Sequence, residues 1–466
     1  MIGAVTNGGG WRAESTRRHP GPISATERSI SSLDHRRRPI SGRWVRLAAA
    51  MTYACGGLVV GEAEAAGRPP AFLQSCTIAG PQVPPFFPLS ATGRGAIGAG
   101  ADQGGETAQG EDDGEVDDDG SRGFLSPGSN TCIAISGSVS TGFQGDRYKA
   151  NALARATGQV PVDATSFPLS ASFRMETGQT LANGLFLGSA FELSFDAGGE
   201  SAGDATVSEA SVTLGPLAAG LTGSRFDFWT GDDFVFVARI PSRTVALIGY
   251  ERRLTETISL SLSAEDVSAD RRTPSPTVGA RLPDGVLRLL YQADALTLHG
   301  AVAMRDVPRL GGASALGRAA ILGATWQGSL LDRQVTLSAQ IAGAIDAAPY
   351  IGSQLDRRTV FSVLGGDEAA RGWSGVVSVG KEWTGDWSTN AYVSRYSLSL
   401  PRLAPVSGRI QIDRVAANVV WAPVDGLRLG LELSMAWQRI DLAGRAATTS
   451  FTGRQSSAQL FIDRTF

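Results

Sequence analysis

The chain of 466 residues is 42% hydrophobic and 19% charged and carries 58 glycines, above the usual glycine share of about 7%, so it has length for one large domain or two or three small ones and is not a disordered polyelectrolyte. A formal net charge of −3 excludes a strongly basic nucleic-acid binder, and no apolar run after the N-terminal region approaches the roughly 18 residues that a membrane-spanning helix needs. Only His19, His35 and His299 are present, which leaves little material for histidine metal sites or catalytic triads.

Residues 1–65 read as an export signal. Leu47 to Val60 form an apolar segment behind Arg43 and Arg46, and Ala63-Glu64-Ala65 has the small-x-small form that signal peptidase accepts. Cleavage is expected after Ala65. The stretch from Arg12 to Arg46 is long for the charged part of a signal, so translation is expected to start nearer Val45 or Met51. Loss of nine Arg and five acids leaves a mature charge of about −7. Cys55 departs with the signal, and Thr52-Tyr53-Ala54-Cys55 lacks the aliphatic residue of a lipoprotein box. Cys76 and Cys132 remain, an even pair that in an exported protein suggests a disulfide rather than two free thiols.

Residues 66–123 are Pro- and Gly-rich and hold the acidic run Glu111, Asp112, Asp113, Glu115, Asp117, Asp118, Asp119. The spacing does not fit a calcium loop, and a solvated, flexible N-terminal periplasmic segment over 66–123, with its acidic insert at 106–119, is the better reading. Beyond Thr131 the texture changes to period two. Ile258-Ser259-Leu260-Ser261-Leu262-Ser263 puts aliphatic side chains on one face and serines on the other, and Leu427, Leu429, Leu431, Leu433, Met435 and Trp437 alternate with Arg428, Gly430, Glu432, Ser434, Ala436 and Gln438.

Sixteen such segments are predicted, at 132–143, 168–177, 184–196, 206–214, 217–223, 242–251, 254–265, 285–292, 295–304, 317–327, 333–344, 371–382, 387–398, 409–421, 426–439 and 454–466. Their gaps alternate between short (Gly215-Pro216, Arg252-Arg253, Ala293-Asp294, Ala422 to Asp425) and long (144–167, 266–284, 345–370, 440–453). A soluble sandwich has no reason to confine long loops to one end, whereas a transmembrane barrel has short periplasmic turns and long outer loops. The expected fold is therefore all-β: a 16-stranded antiparallel transmembrane β-barrel. In hydrocarbon every backbone N–H and C=O must pair within the protein, so the sheet closes and its outer face is apolar over about 25 Å. A barrel this wide holds water, which accounts for inner serines and charges and for a mean hydropathy near zero. Trp326, Trp383, Trp387 and Trp421 fall at the short-turn ends and Trp373, Tyr396 and Trp437 near long loops, as two aromatic girdles require.

The ending Gln459-Leu460-Phe461-Ile462-Asp463-Arg464-Thr465-Phe466, with Leu460 and Ile462 on one face, looks like the signal read by the barrel assembly machinery, its terminal Phe466 included. Arg464 departs from the usual apolar or aromatic residue.

Three separated motifs carry a family resemblance. Phe124-Leu125-Ser126-Pro127-Gly128-Ser129-Asn130-Thr131-Cys132-Ile133-Ala134-Ile135-Ser136-Gly137 is similar to the opening of the alphaproteobacterial porin family, type 2, whose upstream cysteine is matched by Cys76. Ala210 to Gly220, running on to Ser224-Arg225-Phe226-Asp227-Phe228, and the Arg464-Thr465-Phe466 ending resemble it too. The insert between Cys76 and Phe124 is longer than the family spacer. The resemblance over 124–466 implies a homotrimeric, water-filled general porin, without cofactor or nucleic-acid partner, set in outer-membrane lipid and lipopolysaccharide and passing small hydrophilic solutes. It also implies a third outer loop folded into the channel, here 224–241. Asp227, Asp232 and Asp233 would form the acidic side of a constriction and wall arginines the basic side, with Arg174, beside Ser170, Ser172 and Glu176, and then Arg428 as candidates. Opposed charges in a narrow pore set a transverse field that orients polar solutes. Lys149 and Lys381 are the only lysines, so nearly all basic positions are Arg. Two other classes stay open: a barrel enzyme, for which His299 is the one available base in the mature chain, and a substrate-specific channel or adhesin.

Overall fold

The computed structural model describes residues 75–78, 121–126, 128–152, 154, 163–198, 201–266, 282–308, 314–353, 369–403, 406–444 and 447–466; the expected signal segment and the acidic run lie outside these. A short ribbon, β1 (Ser75–Ile78) against β2 (Ser121–Leu125), precedes the wall. The wall begins with β3 (Cys132–Ala150), whose C-terminal half pairs with the short β4 (Ala164–Ser166) and whose N-terminal half pairs with β5 (Leu169–Thr180), and continues with β6 (Phe186–Gly198), β7 (Ser201–Leu214), β8 (Leu217–Gly223), β9 (Thr244–Arg253) and β10 (Ile258–Asp266). It proceeds through β11 (Asp284–Ala293), β12 (Leu296–Pro308), β13 (Ser314–Ser329), β14 (Gln334–Ile345), β15 (Arg371–Glu382), β16 (Trp387–Leu403), β17 (Val406–Val424), β18 (Leu427–Ala443) and β19 (Thr448–Thr465). Each strand pairs antiparallel with the next, and β19 returns to β3 from Gly453↔Ala150 to Thr465↔Ser138. With β3 and β5 to β19 as staves, this is a closed barrel of sixteen strands. Closure leaves no edge, so the backbone groups of the staves find partners inside the wall.

The period-two reading decides which side is which. In β10, Ser259, Ser261, Ser263 and Glu265 are buried while Leu262 is 58% exposed, an inversion of ordinary burial that makes sense only if the exposed face meets lipid. Directly paired residues of neighbouring strands share a face, so the middle of the outer surface reads Leu298, Ala324, Ala339, Val377, Val393, Val415 and Met435 across seven strands. Trp326, Trp387 and Trp421 face outward at the short-turn end, with Trp387 stacked on Trp421 at 6.0 Å. Trp373 and Trp437 face outward at the other.

Two expectations change. Tyr396 is not a girdle residue: it is 3% exposed and points inward, because it alternates with the outward Arg395 and Ser397. The long connections are also fewer. Only 444–447 separate β18 from β19, and 404–405 separate β16 from β17. Those strands run 17 to 19 residues, past the apolar belt. Above the membrane a paired ribbon needs no apolar face, so its sequence stops alternating while its hydrogen bonds continue.

The β1–β2 ribbon lies on the inner face at the short-turn end. The Cys76–Cys132 disulfide, its ends 56 positions apart in sequence and its Cα atoms 5.9 Å apart, ties it to β3. Ile78 packs with Cys132, Ala134 and Phe186, all inward-facing, and Ser121 Oγ donates to Glu176 Oε2 at 2.7 Å. Ser75–Ile78 is thus a paired strand inside the segment expected to be flexible.

Candidate functional site

β8 ends early, at Gly223, and the chain leaves the wall for residues 224–243 before β9 begins. The base of this excursion is closed on itself. Ser224 N–H donates to the Arg243 carbonyl at 2.9 Å, and Arg243 N–H donates to Asp227 Oδ2 at 2.5 Å. Glu265 of β10 accepts from Ser224 Oγ at 2.7 Å and from Arg225 N–H at 2.9 Å. Tyr350, in the 3-10 turn Ala348–Ile351 after β14, wedges against Phe226 with ring centroids 4.8 Å apart and lies under the Arg243 guanidinium. Gly352 beside that turn has φ 81° and sits where a Cβ would be 2.4 Å from the Ile240 carbonyl, so only glycine fits.

From its base the segment runs along the polar face of the far wall, strand by strand. His299 of β12 meets the Phe226 carbonyl through Nε2 at 3.1 Å, its ring stacked on Phe228 at 5.0 Å. Gly323 of β13 makes room for Phe228, whose ring would come within 2.2 Å of a Cβ there. Gln340 of β14 accepts from Trp229 N–H at 2.8 Å. Tyr392 of β16 donates to the Phe236 carbonyl. On β17, Arg414 donates to the Val237 carbonyl at 2.8 Å and Asn418 to the Asp233 carbonyl at 2.6 Å. Glu432 of β18 accepts from both Val235 and Phe236 N–H groups at 2.8 Å. Apolar packing fills the spaces: Phe234, Ala238 and Ile240 bury against Val376, Tyr392 and Ala416. Beneath lie buried ion pairs, Arg288 with Glu251 at 2.7 Å and Arg305 with Asp284 at 3.8 Å. A buried polar group left unpaired costs about 1–3 kcal/mol, so six strands each giving a polar group to the same segment fix its path.

The inner wall is thereby divided. Inward side chains of β9 to β18 under the segment, including Glu251, Glu265, Gln340, Asn418 and Glu432, are buried. Those of β3 and β5 to β7, including Ser136, Ser138, Ser170, Ser172 and Ser194, remain half-buried.

The predicted site residues fall into three environments. Asp227 is 8% exposed at the base of the segment; burial pushes its carboxyl up to about 7, and the neighbouring Arg243 only partly offsets this. Asp232 and Asp233 lie on the exposed edge of the segment. Both are raised above the usual carboxylate range, first by desolvation within the recess; Thr230 restrains the shift of Asp232 through a 2.6 Å hydrogen bond, and the Arg428 charge restrains that of Asp233. Arg428 and Asp233 are thus brought together. Arg174 pairs with carboxylates of the wall rather than with those of the segment. It lies on the half-buried wall in a nest of glutamates, with Glu176 at 2.8 Å, Glu192 at 2.9 Å and Glu209 at 2.5 Å. One positive and three negative charges make this wall acidic. Among the described residues no group of three or more His, Cys, Asp or Glu is placed to hold a metal ion.

Sequence reasoning did not find Glu192 and Glu209, nor the anchors Gln340, Arg414, Asn418 and Glu432. For Gln340, Asn418 and Glu432 parity was the available signal: each occupies an inward position between apolar outward neighbours.

A family model described as a porin subfamily matches residues 120–459. Among solved structures, the outer membrane channel DcaP of Acinetobacter baumannii superposes with a TM-score of 0.57 at 15% identity, covering 74% of this chain and 99% of that one. An anion-selective porin from Comamonas acidovorans gives a TM-score of 0.47 at 12% identity, covering 72% of this chain and 100% of that one. A search of curated protein sequences returns no match.

Proposed function

Taking as premise that the chain belongs to the porin family and is an outer-membrane diffusion channel, we propose that it passes small hydrophilic solutes and ions through a water-filled lumen narrowed by residues 224–243, and that it prefers cations. The observation that carries this is the division of the inner wall. With β9 to β18 covered by the segment, the free passage runs between the exposed edge of that segment and the inward faces of β3 and β5 to β7. One side of the passage then presents Asp232 and Asp233, with Arg428 near them. The other presents serines and the Arg174 cluster, in which Glu176, Glu192 and Glu209 outnumber the single guanidinium. Fixed charge close to a narrow aqueous path enriches counter-ions and repels co-ions. Asp227 has a different role: it closes the base of the segment through Arg243.

The same reading gives a homotrimer. Among the described strand residues, outward Trp and Tyr, the usual markers of a lipid interface, are confined to β9 and beyond: Tyr250, Tyr291, Trp326, Trp373, Trp387, Trp421 and Trp437. The outer face of β3 to β6 instead exposes Ile135, Val139, Phe143, Leu169, Phe173, Met175 and Phe195, a surface suited to copies of itself. Residues 1–65 would direct export, and Phe466, whose backbone pairs with Gly137 in both directions at 3.0 Å, would be read by the barrel assembly machinery. Swelling of liposomes containing the purified protein, followed with sugars of graded size, tests the diffusion reading: rates should fall smoothly with size, and impermeable vesicles would contradict it.

A further inference from the structure

The lumen-facing edge of segment 224–243 carries a second pattern. From Asp233 onward burial alternates: Phe234, Phe236, Ala238 and Ile240 are buried against the wall, whereas Asp233 is exposed and Val235, Val237 and Arg239 are half-buried. The edge therefore presents acid, valine, valine and arginine in that order, with the exposed Asp232 beside the acid.

The hydrogen bonds to β17 give the direction of this stripe. Asn418 donates to the carbonyl of Asp233 and Arg414 to that of Val237, so the anchors leave the strand four residues apart, about 13 Å at the usual rise. Trp421 lies at the short-turn end of β17. The stripe thus climbs from Asp233 toward the end of the barrel with the longer connections. Arg239 stands beyond Val237 in the same direction, beside Tyr396, whose register partner Ile412 is two positions past Arg414. The two signs of charge are separated along the passage rather than across it.

Each end keeps charge for a solute. Arg428 offsets Asp233, while Asp232 faces no arginine and is held by Thr230 at 2.6 Å. At the other end Arg414 lies buried beneath the segment with its charge directed at Glu432. Among the described residues Arg239 has no ion-pair partner.

A simple ion can use only one end of such a stripe, and an uncharged sugar neither. A single amino acid is too short, but a peptide of about four residues spans about 13 Å when extended. We propose that the stripe is a binding path for short zwitterionic peptides, with the terminal carboxylate on Arg239, the terminal ammonium on Asp232 and Asp233, and small apolar side chains over Val235 and Val237. Serines across the passage offer donors and acceptors to the peptide backbone. A peptide arriving from the long-connection end passes Arg239 first and is drawn in with its ammonium end leading. The proposal rests on the reading that residues 224–243 narrow an open channel.

The test uses the full-length protein in a planar bilayer, with tetra-alanine as probe and transient block of single-channel current as readout. Tetra-alanine with both termini charged should block most strongly, and N-acetylation or C-amidation should each weaken block about threefold, the loss of one exposed ion pair. A channel that merely prefers cations would be blocked best by the amidated form, which would overturn the proposal and leave the diffusion reading standing. Arg239→Gln should weaken block by tetra-alanine about threefold and leave block by the amidated form as in wild type, which also reports that the variant has folded. Lys381→Gln, on the lipid-facing side, should respond as wild type does. Dialanine, about 7 Å long, cannot reach both ends and should block no better than its amide. Equal block by the three forms of tetra-alanine, or unchanged block in Arg239→Gln, would overturn the proposal; a protein that passes neither ions nor sugars would overturn the diffusion reading and this proposal with it.

Discussion

Glu192→Gln with Glu209→Gln should abolish most of the cation preference. In the folded barrel Arg174 touches Glu176, Glu192 and Glu209 at 2.5–2.9 Å, so the cluster carries a net charge of −2, and the double variant brings it to zero. An ion passing about 6 Å away through water feels about 0.7 kcal/mol per unit charge, cut to about half by screening at 0.15 M salt. Two charges therefore contribute about 0.7 kcal/mol, which enriches cations about threefold and depletes anions about threefold. The cation-to-anion permeability ratio should fall roughly tenfold. Glutamine keeps an acceptor for Arg174 Nη1, so the wall geometry is retained. Reversal potential in a salt gradient across a planar bilayer is the assay, and Arg174→Gln supplies the opposite sign: the cluster goes to −3 and the ratio should rise. If both variants reverse at the wild-type potential, the passage does not run along β5 to β7.

Asp232→Asn with Asp233→Asn should also lower the ratio, whereas Asp227→Asn should leave it unchanged, because Asp227 is bound at the base of the segment; an effect of Asp227→Asn equal to that of the pair would contradict this. Since the carboxyls of Asp232 and Asp233 are raised, cation preference should begin to decline above the ordinary carboxylate range as pH is lowered, a shift that the Asn pair should remove. Asp227, held near 7 in the folded state, takes up its proton more tightly there than in the unfolded chain. Its stabilisation is complete below about 4 and is lost as pH rises through about 7. Amide exchange over 224–243, corrected for intrinsic rates, should accelerate between pH 5 and 8 in wild type and not in Asp227→Asn. Cys76→Ser with Cys132→Ser removes a crosslink across 56 residues, worth up to about 4 kcal/mol by chain entropy; an unchanged denaturation midpoint and an unchanged gel mobility on reduction would count against it. Val377→Arg, facing lipid in mid-belt, should cost about 2–4 kcal/mol in refolding equilibria, several times more than the same change at a position above the belt.

What was legible in the sequence was whatever the bilayer enforces. Hydrocarbon tolerates no polar side chain at Leu260 or Leu262 and no unpaired backbone beside them, so alternation, strand count and closure could be read from residue order. Where that constraint ends, the reading ended too. The outer halves of β16 to β19 pair in water, and nothing in Arg439, Asp441 or Ser450 marks them as strand. Tyr396 was assigned to a girdle by its nearness to a loop, although the parity set by Val393 and Arg395 puts it inside. The position of segment 224–243 was legible from the short β8 and the Ser224 to Phe228 motif, but its partners were not. Glu432 between two leucines looks like any lumen residue until two backbone N–H groups arrive from 196 and 197 positions away. Arg174 was recognised as inward-facing, while its partners Glu192 and Glu209 are set by register across β5, β6 and β7, including the bulge after Glu192, which a single sequence does not disclose.

The central claim is that the apolar outer face meets lipid and the polar inner face surrounds a column of water that ions can cross. Conductance of detergent-extracted, heat-modifiable protein in a planar bilayer tests it most directly. The account predicts stable current steps in closely spaced groups of three, with a reversal potential displaced toward cations. A bilayer that stays silent after verified insertion of folded protein would contradict it.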